Sequence, residues 1–146
     1  MSTTTTDQKG AIAEAAIALA AIKLGIDVYR PVAERGRCDL IFDLCSRLVR
    51  VQCKWAPFRG DVLSVPFRSC RRGRDGFVRR VYTCEEIDAV AAYCQALDRC
   101  FWLPIERFVG SPEIRLRVTP TRNNQRLRIN WADDFDFAAK LEASGP

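Results

Sequence analysis

The stretch CDLIFDLCSRLVRVQCKW, residues 38–55, alternates apolar and polar side chains twice, with a break at Ser46 and Arg47. Such period-two runs read as two strands whose side chains point to opposite faces in turn. In the second run, 48–55, Arg50, Gln52 and Lys54 share one face, and Val49, Val51, Cys53 and Trp55 share the other. In the first, 38–45, Asp39, Ile41 and Asp43 lie on one face. A hairpin centred on residues 46 and 47 sets Asp43 opposite Arg50, Ile41 opposite Gln52 and Asp39 opposite Lys54. A one-residue slip would turn the polar set of one strand toward the apolar set of the other. The favoured register gathers Asp39, Gln52 and Lys54 into one patch and makes Asp43–Arg50 a cross-strand ion pair.

Upstream, AIAEAAIALAAI (11–22) carries one charged residue, Glu14, in a helix expected over about 8–24, capped by Thr6 or Asp7 and ended at Gly25. A helix apolar on every side is normally buried, and a buried carboxylate needs a metal ion, a lysine or backbone donors. Alternatively Glu14 lies on a narrow exposed strip near the helix start, where the helix dipole tolerates an acid. The 146 residues suit a single domain over 7–146, behind a disordered polar tail over 1–6. The apolar fraction of 48% is enough for a core. No run is long enough for a bilayer span and no secretory signal is visible, so the expectation is a cytoplasmic protein of bacterial or phage type, with no membrane partner.

Further along, VYRPV (28–32) reads as extended and ERGR (34–37) as a turn. DVLSVPF (61–67), CFWLPI (100–105) and EIRLRV (113–118) read as strands, and EIDAVAAYC (86–94) as a helix or a buried strand. RNNQRLR is a polar loop, and the terminal NWADDFDFAAKLEA fits a helical turn or two.

The absence of histidine excludes Ser-His-Asp and Cys-His catalysis and His-ligated zinc. The seven cysteines never form CxxC and read as reduced packing residues. Net charge is +5, and 19 of the 23 basic residues are arginine, the side chain that forks onto phosphates and guanine edges. Arg68, Arg71, Arg72, Arg74, Arg79 and Arg80 form one cluster, and Arg115, Arg117, Arg122, Arg126 and Arg128 a second. Two such clusters are the footprint of a nucleic-acid binder, the alternative being a solvated basic surface.

An acid at the head of one strand, (E/Q)-x-K on the next and a first-helix glutamate resemble the PD-(D/E)XK nucleases. The group I intron-associated, homing-type branch is the closer resemblance. It runs through KGAIAEAAIALAAIKLG (9–25), RCDL (37–40), VQCK (51–54), SCRRGRDGFVRRVYTCEEIDAVAAYC (69–94), FWLPIE (101–106) and LRVTPTRNNQRLRINWADDF (116–135). Cys38 stands where the family has proline, and Gln52 where it more commonly has an acid. The family's long helix between the third and fourth core strands is not evident, which leaves the route of 57–85 open.

The resemblance implies an α/β fold with a restriction-endonuclease-like core, an N-terminal helix packed on a mixed β-sheet. It implies a sequence-specific double-strand DNA endonuclease with Glu14, Asp39, Gln52 and Lys54 as the catalytic set. Without histidine, a metal-activated water is the expected nucleophile. Asp39, the Gln52 side-chain oxygen, the Cys53 main-chain carbonyl and Glu14 are the candidate ligands of Mg2+, for which Mn2+ is expected to substitute. Lys54 would orient the water and offset charge on the phosphate, or else be a surface lysine paired with Asp39. Double-stranded DNA is the expected partner, cut by a homo-oligomer, dimer or tetramer, because one site per chain cuts one strand. A junction-resolving or repair nuclease, or a DNA-binding protein with a vestigial site, are the alternatives.

Overall fold

The computed structural model describes residues 3–33, 36–124 and 126–143, with the backbone alone for 70–73, 77 and 143. Helix α1 (Thr6–Lys23) starts earlier than the sequence suggests. Thr5, and not Thr6 or Asp7, is the N-cap: its hydroxyl accepts from the Gln8 N–H, and the Gln8 side chain accepts from the Thr5 N–H at 2.8 Å. That reciprocal box satisfies two of the N–H groups a helix start leaves open, and it draws Thr5 and Thr6 out of the tail expected over 1–6.

Among the described residues ten strands follow: β1 (Asp27–Tyr29), β2 (Leu40–Asp43), β3 (Leu48–Trp55), β4 (Phe58–Arg59), β5 (Val62–Pro66), β6 (Arg68–Gly73), β7 (Gly76–Val81), β8 (Ala89–Cys94), β9 (Arg99–Pro104) and β10 (Glu113–Arg117). A short 3-10 turn (Ala132–Phe135) and α2 (Phe137–Ala143) end the described chain. The main sheet has the order β1-β2-β3-β8-β9, antiparallel except for the parallel β3–β8 pair. A second sheet is ordered β10-β5-β4, and β6 and β7 pair with each other.

The route of 57–85 is thereby settled. Parallel strands need a crossover, usually a helix; here β4, β5, β6 and β7 provide it.

The alternation of β8 explains the layering. Ala89, Ala91 and Tyr93 pack with Ala13, Ile17 and Ala21 of α1, and with Trp102, Phe137 and Leu141. Val90, Ala92 and Cys94 pack with Leu63, Val65, Ile114 and Leu116 of the small sheet and with Phe101 and Leu103. Within the segment 86–94, Ala89–Cys94 therefore forms a strand, buried on both faces and paired on both edges. Helix α1 is less buried than its composition suggests. Only Ala13, Ile17 and Ala21 are fully covered, because residues at four-residue spacing share one side of the helix, which lies against the sheet along this narrow stripe. Ala11, Ala15, Leu19 and Ile22 stay exposed. No helix of the described residues is long and apolar enough to cross a membrane.

The β2–β3 register differs from the expected one by two residues. Leu40 faces Val51, Ile41 faces Arg50, Phe42 faces Val49 and Asp43 faces Leu48. The turn sits at Cys45 and Ser46, closed by the Leu44 N–H to the Arg47 carbonyl at 3.0 Å and the Ser46 N–H to the Leu44 carbonyl at 2.8 Å. Cys45 takes φ 68° there, and the Asp43 carboxylate accepts its N–H at 2.9 Å. A two-residue shift preserves the face of every strand side chain while the opposed pairs change. The Asp43–Arg50 ion pair does not form. Arg50 instead grips Asp88 through Nε and Nη2, both at 3.1 Å, and donates to the carbonyls of Cys84 and Glu85.

Candidate active site

Strand β3 outruns β2. The two pair only up to Val51, where the Asp39 N–H reaches the Val51 carbonyl at 2.9 Å. Beyond that point the Asp39 side chain takes over from the backbone: its Oδ2 accepts the Cys53 N–H at 2.9 Å. The carboxylate is thus fixed against the free edge of the β3 half that carries Gln52 and Lys54, while β8 holds the other edge as far as Trp55.

Burial pushes the Asp39 carboxyl above its ordinary pKa, and the negative charge of Glu14 adds to this. The Cys53 N–H, Lys54 and Arg30 act the other way. Glu14, Asp39, Arg30, Pro31 and Cys38 line one cleft of about 330 Å³.

The rest of the expected set opens toward a second cleft. Gln52 lines it with Arg37, Ser69, Arg80, Tyr82 and Glu86, and its Oε1 is buried with no hydrogen-bond partner among the described residues. The Lys54 ammonium donates to the Arg68 carbonyl at 3.1 Å and lies 5.3 Å from the Tyr82 ring centre. Burial pushes the Cys53 thiol far up, so it stays protonated and only its main chain could act as a ligand. Cys38 and Asp39 line the first cleft and Arg37 the second, so the chain over 37–39 borders both.

Four residues to which the sequence assigns no role, Arg37, Glu86, Tyr82 and Arg30, complete the surroundings. Arg37 donates to the carbonyls of Arg80 and Val81, both at 2.8 Å, to the Ser69 hydroxyl, and to Glu86 at 2.9 Å. It thereby ties the β6–β7 hairpin to the segment that leads into Asp39. Although desolvation acts upward on Glu86, hydrogen bonds from Thr83 and Arg37 hold its carboxyl below the usual value. Tyr82 lies beneath both Arg37, at 4.6 Å, and Lys54. Closeness to Asp39 in the chain is the one signal that flags Arg37; nothing in the sequence marks Tyr82. Arg30 pairs with Glu14.

The arginine clusters divide. Arg74, Arg79 and Arg80 are exposed on the hairpin, whose tip is a two-residue turn between Gly73 and Gly76. Arg68 is half-buried, and the side chains of Arg71 and Arg72 lie outside the described residues. Arg115 and Arg117 line a third cleft with Arg59 and Ser64 on the small sheet, and Arg122, Arg126 and Arg128 are exposed in the loop that follows.

An anionic pocket beside an ammonium, flanked by exposed arginines, can neutralise and position a phosphodiester. No group of three or more His, Cys, Asp or Glu among the described residues could hold a metal ion by itself. The donors present are two carboxylates and neutral oxygens, including the unpartnered Gln52 oxygen. That set suits a weakly held, oxygen-loving cation.

The chain belongs to the PD-(D/E)XK endonuclease family, which it matches over residues 4–138. Its fold, an N-terminal helix on a mixed sheet, is the one expected of that family. Among solved structures it is similar to a bacterial homing endonuclease, I-Ssp6803I, at 27% identity and a TM-score of 0.75, over 96% of this chain and 94% of that one. No protein of curated function matches it.

Proposed function

We propose that the chain is a metal-dependent endonuclease of the homing type that cuts both strands of a specific DNA site, in the cytoplasm. One observation carries this reading: the half-buried Asp39 carboxylate shares a cleft with Glu14 and feels the charge of Lys54, while the adjoining cleft holds a Gln52 oxygen that no described group satisfies. Two carboxylates in a partly desolvated site favour a counter-cation. Glu14, Asp39, the Gln52 side-chain oxygen and the Cys53 main-chain carbonyl are the groups that would hold it, and hard oxygen donors of this kind suit Mg2+, with Mn2+ as a substitute. A bound divalent ion supplies Lewis acidity toward the phosphate and toward water.

The chain's own groups do the rest. Asp39, pinned by the Cys53 N–H, orients the phosphate-facing edge of β3. Lys54, held between the Arg68 carbonyl and the Tyr82 ring, offsets charge that develops on the phosphate. Arg68, Arg71, Arg72, Arg74, Arg79 and Arg80, with Arg115, Arg117, Arg122, Arg126 and Arg128, supply phosphate and base contacts. One site per chain and two strands to cut favour an even-numbered homo-oligomer, a dimer or tetramer, on a pseudo-palindromic target. The exposed apolar stripe Ala11, Ala15, Leu19 and Ile22 supports that assembly.

Selecting cleaved sequences from a random linear DNA library with Mg2+ tests the reading, with Asp39→Asn as the control. One enriched, nearly two-fold symmetric sequence family is expected. Preference for branched DNA would point to a junction-resolving or repair enzyme. No metal-dependent nicking of any DNA would leave a binding protein without catalysis.

A further inference from the structure

Arg30 follows β1 directly and precedes Pro31, whose ring restricts the backbone at this corner. From there its guanidinium reaches across to Glu14 on α1. Both residues line the cleft that holds Asp39, and the positive charge of Arg30 also acts on the Asp39 carboxyl. One guanidinium therefore partly neutralises the same two carboxylates that the cleavage reading assigns to a divalent cation.

The pair is built to exchange. The Arg30 side chain is 64% exposed and that of Glu14 27%. An ion pair this open to water is a weak tie, unlike a buried one. Arginine does not lose its proton at any pH the protein experiences, so it cannot share the carboxylates with a metal by becoming neutral. It has to move. A guanidinium displaced at the mouth of an anionic cleft needs another anion, and its fork matches the two free oxygens of a phosphodiester. The phosphate that approaches Glu14 and Asp39 for cleavage comes to that same mouth.

We propose that Arg30 occupies the Glu14–Asp39 carboxylates until a divalent cation displaces it, and that it then binds the backbone phosphate of the DNA strand. The proposal rests on the cleavage-site reading given above.

The test measures Mn2+ binding without DNA by calorimetry, for the parent and for Arg30→Ala, Arg30→Lys and Asp39→Asn. It also measures DNA affinity for the same proteins in Ca2+ and in EDTA. Arg30→Ala should bind Mn2+ about tenfold more tightly, because a competing unit charge has left the carboxylates. Arg30→Lys should stay near the parent. In Ca2+, Arg30→Ala should lose DNA affinity, and in EDTA it should lose little. Glu14→Gln frees the guanidinium without metal, so it should tighten DNA binding in EDTA, and adding Arg30→Ala to it should cancel that gain.

Equal Mn2+ affinity in the parent and Arg30→Ala overturns the proposal. So does an equal loss of DNA affinity with and without Ca2+, which marks a permanent phosphate contact. The control separates the two levels of failure. If Asp39→Asn leaves the Mn2+ isotherm unchanged, the cleavage-site reading itself falls. If Asp39→Asn removes binding and Arg30→Ala alters nothing, only the role of Arg30 falls.

Discussion

The two halves of β3 are one strand in two environments. Residues 48–51 are paired to β2 throughout and, at Val51, to β8 as well, and their inward side chains, Val49 and Val51, are almost fully buried under α1. Residues 52–55 keep β8 on one edge and lose β2 on the other, where the Asp39 side chain replaces the missing backbone. All four are only partly buried. The first half stabilises the sheet. The second gives up part of that stabilisation, keeping a desolvated carboxylate and an unsatisfied amide oxygen in positions that a packed strand would not tolerate. The candidate site sits where the ladder stops.

The largest expected effect breaks the two halves apart by activity. Asp39→Asn and Lys54→Ala should each lower cleavage by about a thousandfold or more, in the range that loss of a preorganised charged group costs. DNA binding in Ca2+ should persist, and thermal unfolding should be little changed, or rise for Asp39→Asn. A variant that cuts like the parent removes its residue from the site.

Next comes a change in the packed half. Val51→Ala takes two methyl groups from a fully buried position and leaves a cavity, so it should lower stability by about 2 kcal/mol in denaturant unfolding. Cleavage per folded molecule should hold. If Val51→Ala lowers cleavage more than stability, the two halves are not separable.

Arg50 lies on the boundary and gives a smaller, pH-dependent effect. Its hydrogen bond holds the Asp88 carboxyl below the ordinary aspartate value. A carboxylate whose folded pKa is lowered adds stability that is full above the unfolded pKa and is lost as pH falls through the folded one. Asp88→Asn should therefore cost about 1–2 kcal/mol near pH 7. The gap from the parent should begin to close near pH 4 and vanish only below that. A gap that stays constant from pH 7 to pH 3 would show that Arg50 does not depend on the charge of Asp88.

The smallest effect lies outside β3, on the hairpin that Arg37 ties to Asp39. Arg74→Ala with Arg79→Ala should reduce the salt dependence of DNA binding by about 0.9 in slope for each phosphate that these side chains neutralise. An unchanged slope would make these two arginines solvated surface.

Much of this contrast can be read from the sequence, for a definite reason. The face of a strand residue depends on odd or even position alone, so Gln52 and Lys54 keep a common face through a two-residue error in pairing, while Asp39, just ahead of β2, lines the cleft of Glu14 and Gln52 the other. The pairs themselves depend on where the turn falls. Cys45 in a left-handed conformation carries no glycine or asparagine signal, so the turn is misplaced by one residue and Asp43 is given the wrong partner. Glu14 stands out as the lone charge in its run, but its Arg30 partner is distant in sequence and has no pattern to betray it. The all-strand crossover is hidden for another reason: β4 has two residues, and β6 and β7 read as an arginine-rich loop because their pairing is only with each other.

The parallel β3–β8 pair also sets an order of events in time. Every residue of the candidate catalytic set has been synthesised by position 54, yet β3 gains its second neighbour only when residues 89–94 are made. Closing so long a loop before any pairing repays it is slow compared with forming a local hairpin. The β2–β3 hairpin and α1 can form early on the nascent chain, while the edge that presents Gln52 and Lys54 is held in place only after the arginine-bearing hairpin has already emerged. A half-made molecule therefore carries all four candidate side chains without the frame that aligns them, and the candidate cutting edge is set no earlier than the surface that would hold the DNA.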